Sequence, residues 1–179
     1  MKGIVFTEFC DLVEEQSGLF VLDRMLESSS LASGGAFTSV GTYDHAELFT
    51  LVTFYAAETG TDPTTLLREF GRRLFHRLAA TYPLFLEGTS DPLRFLTQVH
   101  GTIHAEVAKL YPESELPRFT SRYLDDSCLE FVYDSPRGLA DLAQGLIAGC
   151  SEHFDAGLTV ERQPEGRPTY AVFHVRRAG

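Results

Sequence analysis

The hydrophobic pattern of this chain changes period near residue 111, and that change demands two kinds of architecture in one polypeptide. Before it, apolar residues recur three and four apart, as in Val5, Phe9, Leu12 and Val13 and again in Leu48, Leu51, Val52 and Tyr55, the spacing of helices with one buried face. Beyond Pro117, a weak alternation over residues 118–123 and the β-branched and aromatic run CLEFVY over 128–133 predict two strands. Helical spacing returns through Leu139, Leu142, Ala143, Leu146 and Ile147 within residues 138–153. Residues 158–162 and 169–175, joined by a polar turn around Pro164 and Gly166, predict a terminal hairpin. Several helices, two strands, a helix and two strands make an α+β chain.

Local punctuation divides the helical part. Ser33-Gly34-Gly35 marks a loop, and Asp62-Pro63 and Asp91-Pro92 each set a capping oxygen before a proline suited to the first helical turn. The helix starting at Asp91 is expected to run to about residue 111, where Pro112 cannot continue it, with Leu96, Val99, Ile103, Val107 and Leu110 as its apolar stripe.

Charge removes whole classes of function. Fifteen Lys and Arg against 25 Asp and Glu give a net charge of −10, which argues against nucleic acid as a partner. The opening MKGIVFTEFCDLVEEQ has no uninterrupted apolar core after a basic start, so no signal peptide is expected and the cytoplasm is the expected location. The most apolar stretch, residues 48–57, is far short of the roughly 18 residues that a membrane span needs. Cys10, Cys128 and Cys150, an odd set without CxxC spacing, are expected to be reduced and mostly buried thiols.

Two groups of residues could carry chemistry. If the second strand stays extended through Tyr133-Asp134-Ser135-Pro136-Arg137, then Tyr133, Ser135 and Arg137 project from one face, the outer two about 13 Å apart at roughly 3.3 Å per residue. A phenol, a hydroxyl and a guanidinium in a row suit a ligand bearing carboxylates; the plainer alternative is an exposed strand end before a proline turn. The other group is His104 on its helix, where a neutral imidazole could ligate iron. It could equally be a satisfied core histidine, or pair with His100 at i, i+4 on zinc, although third and fourth zinc ligands are not evident.

The signature Tyr133-x-Ser135-x-Arg137, the segment IHAEVAKLYPESELP around His104 and the opening MKGIVFTEF together resemble the haem-nitric oxide/oxygen binding (H-NOX) family, in its stand-alone bacterial form. The resemblance implies a single domain over 1–179, with a helical subdomain over about 1–60, a mixed subdomain of antiparallel sheet and helices over about 61–179, and haem b buried between them. It makes His104 the iron ligand, Tyr133, Ser135 and Arg137 the partners of the haem carboxylates, and Pro117 the proline packed on the haem. Oxygen-binding relatives carry a distal tyrosine five residues after the Arg, supported by polar groups on two other helices; those positions are here Leu142, Phe9 and Leu74. A distal lining of Val5, Phe9, Leu74, Leu78, Leu142 and Leu146 holds no donor, which implies selectivity for nitric oxide over oxygen, with carbon monoxide a weaker ligand.

The implied function is a sensor and not an enzyme, acting on a separate effector, either a histidine kinase or an enzyme of cyclic di-GMP, as His104 and the strained haem rearrange and the helical subdomain moves. Rival readings are a haem- or thiol-dependent enzyme using the open iron site or Cys10, an oxygen-binding haem protein, and a module for another carboxylated apolar molecule. Cys150 with His153 lacks the cysteines of the zinc site found in some relatives, Ser151, His153 and Asp155 lack an oxyanion-hole motif, and residues 113–115 read as solvated acidic surface.

Overall fold

A computed structural model describes residues 1–112, 115–164 and 166–178. The chain divides into two compact units, residues 1–70 and 71–179. The first contains α1 (Ile4–Ser17), α2 (Leu19–Ser28), α3 (His45–Thr59) and the beginning of α4 (Pro63–Thr81). Gly18, at φ 83°, lets the chain turn between α1 and α2 without the steric cost that a Cβ would bring. Phe9 is fully buried and meets Phe70 and Tyr55 edge-on, with ring centroids 5.1 and 6.3 Å away. Arg24 grips Glu58 through two nitrogens, joining α2 to α3.

The second unit continues α4, then adds α5 (Pro92–Gln98), a π-helical turn (Val99–His104), α6 (Ala105–Leu110), β1 (Arg118–Asp125), β2 (Cys128–Asp134), α7 (Ala140–His153), β3 (Thr159–Arg162) and β4 (Tyr170–Arg176). The four strands form one antiparallel sheet in the order β1-β2-β4-β3. Alternation sets its buried face: Leu129, Phe131 and Tyr133 of β2 lie opposite Val175, Phe173 and Ala171 of β4, and all six are buried. The other face is only half-buried; it sets Val132 opposite Val172 and Glu130 opposite His174, and Glu130 pairs with Arg122 at 2.9 Å.

Asp91 caps α5 by accepting the Leu93 N–H at 3.0 Å, with Pro92 in the first turn, and Asp62 accepts the Thr65 N–H at the start of α4. The helix from Asp91 does not continue as one α-helix to residue 111. It widens to π over Val99–His104, and no residue of the π turn or α6 is buried. Leu110, the last member of the expected stripe, is 70% exposed; the buried residues lie earlier, at Leu93, Phe95 and Leu96.

α4 and α7 touch backbone to backbone. A Cβ at Gly71 would stand 2.3 Å from the Leu142 carbonyl oxygen and 2.9 Å from the Leu146 nitrogen, and one at Gly149 would stand 2.5 Å from the Arg72 oxygen. Only glycine fits at either point. Among the described residues, no helix is long and apolar enough to cross a membrane.

Candidate functional site

His104 ends the π turn, and residue 117 lies close enough for its carbonyl to accept the His104 Nδ1–H at 3.2 Å. That bond leaves Nε2 with its lone pair free. Burial pushes the imidazole down to about 4, more strongly than the Pro117 carbonyl pulls it up, so the ring is neutral at pH 7 and fit to be a metal ligand. A π turn is an uncommon element found frequently at functional sites.

Phe119 joins this histidine to the strand. Its ring lies 5.6 Å from His104 and 5.7 Å from Tyr133, and it stacks on Phe131 at 4.9 Å. The sheet register places Phe119 beside Tyr133, with the small Ala171 on the other flank.

Tyr133, Ser135 and Arg137 come together, but not by the expected route. β2 ends at Asp134, and residues 135–138 turn, with the Gly138 N–H reaching back to the Ser135 oxygen at 3.4 Å and Gly138 at φ 70°. Pro136 within the segment fits a turn better than a continued strand. The turn loads both hydroxyl oxygens as acceptors. Tyr133 Oη accepts the Leu139 N–H at 3.0 Å, and Ser135 Oγ accepts the Arg137 N–H at 3.4 Å. Each O–H hydrogen is therefore left to donate to another group. Tyr133 and Ser135 are buried, and the Arg137 side chain is 10% exposed, with Nη2 3.6 Å from the Glu115 carboxylate.

Two hydroxyls and a guanidinium are the donors that a carboxylate would take, and a neutral imidazole could serve as a protein ligand for iron. This donor set fits haem. Leu74 and Leu142 are buried and Leu78 and Leu146 half-buried on α4 and α7, whose close approach at Gly71 brings the backbone of residues 142–146 against α4. Val5 is half-buried on α1, and Phe9 belongs to the aromatic cluster of the helical unit.

Among the described residues, no three His, Cys, Asp or Glu side chains gather as a metal site would need, including around His100 and around Cys150 with His153. Ser151 Oγ accepts the Leu158 N–H at 2.7 Å and anchors the loop after α7. All three cysteines are free; burial pushes Cys10 up to about 11 and Cys150 up to about 12, which leaves both protonated and poorly nucleophilic.

Three contributors escaped the reading of the sequence. Phe119 sits in a strand whose alternation is weak, and the Leu139 N–H has no side-chain signal. Glu115, read as solvated surface, is indeed 86% exposed yet pairs with Arg137, while Glu113 lies outside the described residues. The closeness of Glu115 to Pro117 was the available clue.

Residues 2–162 match the family model described as Haem-NO-binding. The unliganded Fe(II) H-NOX protein from K. algicida superposes with a TM-score of 0.93 at 33% identity, over 100% of this chain and 97% of that one. An H-NOX protein from S. oneidensis in the Fe(II)NO state gives 0.90 at 27% identity over 100% of both chains. The IWP-051-bound H-NOX from Shewanella woodyi in the Fe(II)CO state gives 0.85 at 39% identity, over 99% of this chain and 95% of that one. Among curated proteins none matches. With the α+β fold, the donor set and a match over nearly its whole length in agreement, the chain belongs to the Haem-NO-binding (H-NOX) family of haem proteins.

Proposed function

We propose that the protein is a haem b-based sensor selective for nitric oxide over oxygen, signalling in the cytoplasm to a separate effector protein. The observation that carries this reading is that Phe119 joins a neutral His104, its Nε2 not used by the Pro117 bond, to Tyr133, whose hydroxyl and that of Ser135 keep their hydrogens to donate in the turn that carries Arg137. His104 is the iron ligand, Tyr133, Ser135 and Arg137 hold the carboxylates, and Pro117 fixes the imidazole through its carbonyl. When bound, haem would supply an iron with a coordination position open to a diatomic gas.

Selectivity follows from what the neighbouring helices lack. Leu74, Leu78, Leu142 and Leu146 offer no hydrogen-bond donor, so a lining made from them favours a gas that needs none. Nitric oxide meets that condition, carbon monoxide is a weaker second ligand, and dioxygen is disfavoured. The structures in Fe(II)NO and Fe(II)CO states among the relatives agree with these ligands. Free cysteines, two of them buried, suit a reducing compartment. The effector is a histidine kinase or an enzyme of cyclic di-GMP, and residues 115–117, which touch both His104 and Arg137, feel any shift of the imidazole.

An absorption spectrum of the haem-loaded protein, reduced without air and then exposed to air and to nitric oxide, tests the reading. A five-coordinate ferrous spectrum that changes with nitric oxide but not with air is expected. A stable change in air overturns the selectivity, and failure to take up haem overturns the assignment of His104 and its partners.

A further inference from the structure

Residues 115–117 touch both halves of the site at once: Pro117 takes the His104 Nδ1–H, and the Glu115 carboxylate lies 3.6 Å from Arg137 Nη2. The members of that ion pair stand in contrasting surroundings. Arg137 is 10% exposed and follows a turn fixed by backbone bonds, whereas Glu115 is 86% exposed. An exposed carboxylate on a flexible side chain gains little from such a pair and gives it up easily. In this arrangement its charge lies beside the guanidinium. Two carboxylates brought to one guanidinium share its charge and repel each other.

We propose that Glu115 is a positioning residue of the haem site that competes with a haem carboxylate for the Arg137 guanidinium, so that the charge at residue 115 sets how long haem is retained. This rests on Arg137 being a carboxylate clamp, as read above. Arg137 is shared between an internal anion and the cofactor's own, and the grip is weaker than the enclosed guanidinium alone would give. The exposure of Glu115 allows its charge to be changed without disturbing the core.

The test is the rate at which the haem-loaded protein loses haem to excess apomyoglobin, followed by absorbance. Glu115→Gln should lose haem roughly two- to fivefold more slowly than the wild type and Glu115→Lys more slowly again, while Glu115→Asp stays near the wild type. Added salt should narrow this spread. With haem dimethyl ester, which has no free carboxylate, the spread should vanish. Glu115→Gln losing haem at the wild-type rate or faster overturns the proposal, as does an equal spread with the ester. Arg137→Ala separates this from the reading beneath it. If that variant retains haem as well as the wild type, the carboxylate clamp itself is wrong; if it loses haem faster while Glu115→Gln matches the wild type, only the role of Glu115 falls.

Discussion

The helical segment that ends at His104 and the strand that ends at Asp134 supply the two halves of the site, and very different amounts of protein hold them. β2 is hydrogen-bonded on both sides, to β1 and β4, and buries Cys128, Leu129, Phe131 and Tyr133. The π turn and α6 bury no residue, and His104 is held by its Nδ1–H bond to the Pro117 carbonyl. Sparse burial makes local opening easier, and elements that move in signalling are drawn from that end of the stability range. The half that carries Tyr133 is thus a fixed frame, and the half that carries His104 is the adjustable part.

The largest test of this contrast removes the adjustable ligand. His104→Gly should abolish the five-coordinate ferrous haem spectrum until imidazole is supplied; a spectrum unaltered by the substitution would mean that another residue binds iron. Next comes packing. Phe131→Ala should lower the unfolding free energy by about 3–5 kcal/mol, and Ile103→Ala, on the half-buried π turn, by about 1 kcal/mol. Denaturant titration measures both, and equal costs would erase the distinction between frame and adjustable segment. Tyr133→Phe should cost about 1–3 kcal/mol by stranding the Leu139 N–H, with faster hydrogen exchange at that amide as the signature; an unchanged exchange rate would show that the phenol does not hold the turn.

A smaller effect lies on the acid side. In protein stripped of metal, folding favours the neutral His104, whose value falls from the ordinary histidine range to about 4. Its contribution is complete above a pH of about 6.5 and is lost progressively as pH falls toward the folded value, because only the unfolded chain then binds the proton readily. His104→Gln should flatten that part of the stability curve, and an identical curve in both proteins would remove the burial argument.

Features that depend on a few neighbouring residues were legible. Asp62-Pro63 and Asp91-Pro92 start helices because capping is a local bond, and the buried face of β2 follows from the alternation of Leu129, Phe131 and Tyr133. Signature residues alone named His104, Tyr133, Ser135 and Arg137, but their placement came out differently. The extended reading through Arg137 neglected Pro136 and Gly138, which together favour a turn. β1 alternates weakly because it is an edge strand with Phe119 as its buried residue. The contact of Gly71 with residues 142–146 joins positions some seventy apart, and a glycine announces no partner at that distance in sequence.

The π turn has a consequence for inheritance of the site. A π turn accommodates one residue more than α-helical hydrogen bonding does, and each residue of a helix advances its direction by about 100°. Excising one residue from the turn would restore α-helical bonding and move His104 relative to the Pro117 carbonyl. The place of the imidazole is therefore written in the length of the chain as much as in its letters: a one-codon deletion that keeps His104, Tyr133, Ser135 and Arg137 would still shift His104.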